Sequence, residues 1–255
     1  MNILIDYFLY FISYSFLGWL WECSISLVRD HKIVNRGFLN GPYCPIYGCG
    51  AILCILLNNF FQNPFLLFFV GGISACALEY ATSYAMEKIF KARWWDYSDY
   101  KFNLNGRICL LGFIIFGLAA AGSSFLQPVL QTFIQHFEHR QYIACGIAII
   151  FATDIFSTNN SFARFNKILR DYQAILKKGR IAQFIDRHGK KILIKISDKQ
   201  RKIFTYQQRR LMRAFPNFKS NYDRAYNDII KFYQRTKYQP KQSAHARQKS
   251  KKILK

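Results

Sequence analysis

Long apolar runs constrain this chain more than any other feature of its sequence. A helix needs about 20 predominantly apolar residues to cross ~30 Å of hydrocarbon. Segments that approach or reach this length lie at residues 7–28, 43–61, 64–86, 108–130 and 142–157. The last segment is short and contains Asp154. The sequence therefore predicts an all-α fold, a polytopic helical membrane protein with about five transmembrane helices.

Charge divides the chain near residue 157. Residues 1–157 hold nine basic and nine acidic side chains, whereas residues 158–255 hold 27 basic and five acidic ones, so the net charge of +22 resides in the second part. We predict a transmembrane domain at 1–157 and a basic cytoplasmic tail at 158–255. Apolar residues at helical spacing predict an amphipathic helix at about 160–178, and the composition of 239–255 predicts disorder.

Basic residues in the predicted loops indicate the orientation of the spans. Residues 29–41 contain three, 58–63 none, 88–107 five and 131–141 one. Lys and Arg concentrate in cytoplasmic loops. This distribution places loop one (29–41), loop three (88–107) and the tail in the cytoplasm. Five spans with the N-terminus outside and the C-terminus cytoplasmic satisfy every loop.

A short pattern recurs at an offset of 65 residues. Leu-Asn-Gly-x-x-Cys begins at Leu39 and again at Leu104, and Glu22 and Glu87 share the same offset. One interpretation is a parallel repeat of two helical hairpins followed by one further helix. The alternative is that Asn-Gly is a common turn before a helix.

Four acidic residues lie in predicted spans or at the end of one, and an ionisable side chain costs about 2.5–3.5 kcal/mol at the helix centre. They form a candidate polar cluster: Glu22, Glu79, Glu87 and Asp154. Glu79 shares one helical face with Gly72, Cys76 and Ser83 and is therefore expected to point at neighbouring helices. The cluster either binds a substrate or ion, or pairs with nearby arginines to hold loops against helices.

Loops one and three contain a second group of candidate residues. Each loop leads into the N-terminus of an apolar helix beside an arginine, an arrangement that can bind anions. The alternative is a pair of membrane-surface turns anchored by tryptophan. The candidates for a cytoplasmic loop or anion site are Arg36, Asn40, Trp94, Trp95, Asp96, Asn105 and Arg107.

The seven cysteines show no metal-ligand spacing, and we expect them to fill packing space. No nucleophile and base pair is recognisable, so no catalytic residue, metal or cofactor is predicted and the chain is not expected to be an enzyme. The sequence lacks the G-x-x-x-x-G-K-[ST] phosphate loop, so ATP hydrolysis is expected on a separate chain.

Three stretches carry a family resemblance. They are N-R-G-F-L-N-G-P-Y-C-P-I-Y-G at 35–48, L-E-Y at 78–80, and R-W-W-D-Y-S with F-N-L-N-G-R-I-C-L between 93 and 110. They resemble a bacterial membrane family named "putative ABC-transporter permease". The resemblance covers about residues 7–157 and implies a permease of the bacterial cytoplasmic membrane that works with a separate ATPase subunit. A five-span permease implies a homo- or hetero-oligomer.

Two functions remain open at this point. The first is a permease subunit that transports an undefined substrate. The second is a membrane anchor or scaffold whose basic tail recruits anionic lipid or a cytoplasmic partner, since each Lys or Arg near anionic lipid contributes about 1 kcal/mol. Besides the bilayer, anionic lipid is the expected ligand of the tail. Nucleic acid is not, because tail aromatics at helical spacing favour packing over base stacking.

Overall fold

Five helices account for most of the structure. The computed structural model describes residues 2–31, 34–90, 92–177, 207–208, 210 and 219–220. The elements are α1 (Asn2–Asp30), α2 (Pro45–Asn58), α3 (Pro64–Phe90), β1 (Ala92–Arg93), α4 (Leu110–Gln135), α5 (Arg140–Lys177) and β2 (Lys219–Ser220). The two strands are two residues long, so the fold class is all-α, as predicted.

Four of these helices, α1, α3, α4 and α5, are long and apolar enough to cross a membrane. The prediction of a polytopic helical membrane protein is confirmed. Helix α2 is shorter than its predicted span, with 14 residues that rise about 21 Å. Its start is delayed to Pro45 because the backbone of Cys44 is extended and donates its N–H to the Ser15 carbonyl of α1 at 2.9 Å.

Small residues allow the helices to pack closely in two hairpins. Gly71 of α3 lies against Ala120 of α4, and Gly117 of α4 lies against the Phe68 ring. In the first hairpin, Gly48 of α2 lies against the Phe11 carbonyl of α1. A side chain at any of these glycines would collide with the facing helix. Close backbone approach is a main source of helix association in lipid, where the hydrophobic effect between helices is absent.

The two hairpins, α1 with α2 and α3 with α4, keep the offset of 65 residues at the start of their second helices. Helices α2 and α4 begin at Pro45 and Leu110, and each follows an N-cap cysteine, Cys44 or Cys109. The hairpins differ in detail, because Cys109 Sγ accepts a hydrogen bond from the Gly112 N–H whereas Cys44 makes no side-chain cap.

Helix α5 continues without interruption through residue 157. The helix predicted at about 160–178 is its second half and does not begin separately, since Asn159 and Asn160 are helical. The chain divides into two compact units, Met1–Ala163 with Phe204–Lys219, and Arg164–Ile203 with Ser220–Lys255. In the second unit the structure describes the end of α5 and Ser220. The segment predicted to be disordered, 239–255, lies outside the described residues.

Candidate functional site

Loop three folds into a compact turn at the end of α3. Asn105 and Gly106 both have positive φ, 53° and 64°. A side chain at position 106 would also collide with Asp96 Oδ1 and Ser98 Oγ, so glycine is required there. The Gly106 carbonyl accepts the N–H of Tyr97 at 2.8 Å. This turn fixes the direction of Tyr97 relative to the helices.

An ion-pair cluster attaches loop three to α3. The Arg107 guanidinium donates to Glu87 Oε2 at 2.8 Å and to Ser83 Oγ at 3.0 Å. Arg93 donates to the same Glu87 oxygen at 3.2 Å and lies 3.8 Å from Asp96. The Arg107 side chain is 9% exposed. The Glu87 side chain is 34% exposed, so the pair is partly screened by water.

The other loop-three candidates hold the turn in place. Trp95 donates its indole N–H to the Arg107 carbonyl at 3.2 Å, and Asn105 donates its amide to the Tyr80 hydroxyl at 3.0 Å. Trp94 is buried and packs against three rings contributed by loop one, α3 and α5. They are Phe38, Phe90 and Phe162, at 5.0, 6.3 and 5.2 Å between centroids. These contacts join both loops to the helices.

Glu79 lies on the interior face of α3. It is 6% exposed, and Tyr97 donates its hydroxyl to Oε1 at 3.0 Å. Oε2 is buried and has no hydrogen-bond partner among the residues that the structure describes. Burial, together with the nearby Glu79 and Glu22 carboxylates, raises the pKa of Tyr97, so the phenol keeps its proton.

Glu22 occupies a comparable position on α1. Tyr47 donates its hydroxyl to Glu22 Oε1 at 2.8 Å. Arg36 of loop one lies 3.8 Å from Glu22 Oε2 and supplies a positive charge. Two carboxylates on different helices therefore each receive one tyrosine hydroxyl, and an arginine compensates the charge of Glu22.

Asp154 holds loop one against α5. One carboxylate oxygen accepts the backbone and side-chain N–H groups of Asn40 and the Thr158 hydroxyl, at 2.9 to 3.1 Å. The other accepts the Gly41 N–H at 2.7 Å and the Tyr43 hydroxyl at 2.8 Å. Burial and the bond to Asp154 raise the pKa of Tyr43, which therefore remains a donor. Both oxygens of Asp154 are fully used.

A segment far along the chain completes the loop-one network. The Arg210 guanidinium donates to the Gly37 and Phe38 carbonyls at 2.7 and 2.9 Å. Gln207 donates to the Thr158 hydroxyl at 2.6 Å, and Gln208 to the Ser161 carbonyl at 2.9 Å. All three side chains are buried. Part of the predicted tail therefore belongs to the same compact unit as the transmembrane helices.

The structure divides the predicted candidates into three groups. Glu87 joins Arg107, Asn105, Trp95 and Asp96 around loop three. Asp154 joins Asn40, and Glu22 joins Arg36. Glu79 is separate from these three, and Trp94 belongs to the aromatic contacts between the loops.

The sequence analysis missed the hydrogen-bond donors that distinguish these carboxylates. The donors are Tyr43, Tyr47 and Tyr97. All three lie within the motifs that carry the family resemblance, and this position could have identified them as candidate residues. The signal for the segment of Gln207, Gln208 and Arg210 was weaker. It consisted of two adjacent neutral amides within a strongly basic region. Across the described residues, no group of three acidic, histidine or cysteine side chains is placed to hold a metal ion.

Comparison with known proteins agrees with the helical architecture. A family model described as "Putative ABC-transporter type IV" matches residues 9–159, from α1 into α5. No curated protein and no solved structure matches the chain. The match covers more than half of the sequence, including most of α1, all of α2, α3 and α4, the first half of α5 and both polar loops. The chain thus belongs to the ABC-transporter type IV family and is a membrane component of a transporter.

Proposed function

We propose that this chain is the permease subunit of a transporter and that its ATPase, where one is needed, is a separate chain. The family match over the whole membrane region carries this proposal. Four apolar helices long enough to cross a bilayer support it. The substrate is a solute or ion that meets the polar side chains between the helices.

In the proposed orientation the N-terminus lies outside and loops one and three face the cytoplasm, in a bacterial cytoplasmic membrane. The short α2 is compatible with this topology because it packs against α1, α3 and α4. Irregular backbone at either end of such a helix is tolerated at membrane depth when protein covers it. Single cysteines at Asn59 and His136 in a cysteine-free background should react with an impermeant thiol reagent from outside, and one at Asp99 should not. Labelling at Asp99 from outside would contradict the orientation.

The proposed substrate site contains Glu22 with Tyr47 and Glu79 with Tyr97. Glu22 lies on α1 and Glu79 on α3, and both carboxylates raise the pKa of Tyr97. Ionisable side chains inside a bundle commonly mark ion or substrate paths. In this proposal the ion-paired residues of loop three hold the tyrosine that faces Glu79.

The permease proposal is tested by purifying the tagged chain from its native membranes in mild detergent. We expect an ATP-binding chain to co-purify in fixed stoichiometry and the complex to hydrolyse ATP. A second multi-pass protein carrying the same tag serves as the control. A chain that purifies alone, from membranes where it is functional, would refute a permanent ATPase partner.

A second candidate function is favoured by the 27 basic residues after position 157. In this case the chain is a membrane anchor whose tail binds anionic lipid. Lysine footprinting of the full chain in nanodiscs should then show protection that depends on anionic lipid. High salt should remove the protection, because exposed charges are screened within ~10 Å at 0.1 M. Equal labelling in neutral and anionic nanodiscs would exclude this function.

A further inference from the structure

Glu79 differs from Asp6, Glu22 and Glu87 in its positive partners. It differs from Asp154, which forms no ion pair with the described residues either, in keeping one carboxylate oxygen without a hydrogen bond in the described structure. Asp6 pairs with Arg140 at 2.8 Å, Glu22 with Arg36 and Glu87 with Arg107. Within the described part of the chain, no Lys or Arg forms an ion pair with Glu79. A buried carboxylate without a compensating charge is strongly unfavourable. The compensating charge at Glu79 therefore has to come from outside these residues.

The space next to Glu79 Oε2 is small and well defined. A methyl group placed on Gly112 of α4 would lie 3.8 Å from Oε2, 3.8 Å from Cys109 Sγ and 3.7 Å from the Phe116 ring. These are ordinary van der Waals distances, so a methyl-sized space is left unfilled beside the unpartnered oxygen. Tyr97 occupies the other carboxylate oxygen and holds the group in position.

We propose that Glu79 and Tyr97 form a binding site for a singly charged cation that brings its own hydrogen-bond donor to Oε2. An ammonium group of a solute and a proton supplied by water are the two sources of this chemistry. Calcium and magnesium are disfavoured, because they require about six or more oxygen ligands. The described residues also offer no group of three His, Cys, Asp or Glu side chains placed to hold a metal ion. The inference names the ligand class of the site in the proposed function and rests on that function.

Several groups around Glu79 shape this site. Glu22 of α1 adds a second carboxylate, whose charge Arg36 compensates from 3.8 Å. The Tyr97 phenol faces the site from loop three, the Cys76 thiol from α3 itself, and the Cys109 thiol from the N-cap of α4. The phenol and the two thiols carry no positive charge that would compete with the ligand, and Arg36 is paired with Glu22.

The test uses the purified full chain in nanodiscs and isothermal titration with ammonium chloride. Tetramethylammonium chloride is the cation without an N–H donor, and potassium chloride controls for ionic strength. Titration in two buffers of different ionisation enthalpy measures the protons released. We expect wild type to bind ammonium and, if the resting site holds a proton, to release one. Glu79→Gln should bind about tenfold more weakly or worse, the size of one charged hydrogen bond.

Two glycine variants separate binding from folding. Gly112→Ala keeps the carboxylate and fills the space beside Oε2, so ammonium affinity should fall several-fold. Gly122→Ala lies on the same helix, where an added methyl meets nothing within 4 Å, and should bind like wild type. Both variants gain helix propensity, since Ala exceeds Gly by about 1 kcal/mol. If Glu79→Gln fails to fold, Gly112→Ala decides the question.

Each outcome has a defined meaning. If ammonium does not bind, the same nanodiscs are titrated with acid, and proton uptake that is present in wild type and absent in Glu79→Gln identifies the proton as the cation. Equal behaviour of wild type, Glu79→Gln and Gly112→Ala in both measurements overturns the proposal, as does tetramethylammonium binding as tightly as ammonium. These measurements use the isolated chain. Failure to find an ATPase partner would therefore refute a permanent ATPase partner and leave the cation site standing.

Discussion

Asp154 and Glu79 are both carboxylates in membrane helices, yet their surroundings differ. Both oxygens of Asp154 are occupied by donors from loop one and α5. Glu79 accepts one tyrosine hydroxyl and keeps one buried oxygen without a partner in the described structure. A carboxylate with every acceptor position used stabilises the fold. One with an unused oxygen is suited to a ligand that brings its own donor.

The largest predicted effect is at Asp154. Asp154→Ala leaves the Gly41 N–H and the buried Tyr43 hydroxyl without their acceptor, whereas the exposed Asn40 can turn to water. Each unsatisfied buried donor costs about 1–3 kcal/mol. We expect a loss of about 3 kcal/mol in the free energy of unfolding, measured by denaturant titration in mixed micelles. Asp99→Ala, at an exposed position of loop three, is the control and should change it by less than about 0.5 kcal/mol. If Asp154→Ala and Asp99→Ala lowered the free energy of unfolding equally, the hydrogen bonds of Asp154 would not be a special source of stability.

The next effect is at Arg210, which extends the Asp154 region. Arg210→Met leaves the Gly37 and Phe38 carbonyls without their donor and should cost about 2 kcal/mol. Arg210→Lys keeps the charge but loses the planar fork that reaches two carbonyls, so it should recover little. Hydrogen exchange of loop one should accelerate in both variants. Full recovery by lysine would show that charge, and not geometry, makes the contribution.

Glu79→Gln should change stability by less than about 1 kcal/mol, because Gln can still accept the Tyr97 hydroxyl. If Glu79 binds a cation, the same change should abolish transport. Membrane abundance and melting temperature are measured beside growth rescue of a deletion strain. Full rescue at normal abundance would show that Glu79 has no functional role. A fall in abundance as large as that of Asp154→Ala would make the two sites alike.

The smallest effect is the dependence of stability on pH at Cys44, the N-cap of α2. Burial, with the Glu22 carboxylate and Cys23, raises the pKa of the Cys44 thiol to about 12. The folded protein therefore holds this proton more tightly than the unfolded chain, where a thiol titrates near pH 8.5. The resulting stabilisation is complete below that pH and is lost as pH rises towards 12. Cys44→Ala should lose less stability than wild type over this alkaline range, and an identical decline would contradict the burial of Cys44.

Most of the fold could be predicted from the sequence, because an apolar run long enough to cross a bilayer is a local property. The five helices follow from it. The length of α5 could not be predicted in this way. The charge step near residue 157 resembles a boundary, yet Asn159 and Asn160 are helical. The start of α2 was also misplaced, because the contact that delays it joins Cys44, the residue before α2, to Ser15 of α1.

The sequence by itself determined that this chain enters a membrane and which carboxylates lie in its helices. The tertiary structure decided which of them are satisfied. All the donors to Asp154 except Thr158 come from residues more than 100 positions away, and Arg210 reaches Gly37 across 173 positions. Neither separation leaves a periodic signal in the sequence. The unused oxygen of Glu79 is likewise a property of packing, since it depends on α1, α4 and loop three together.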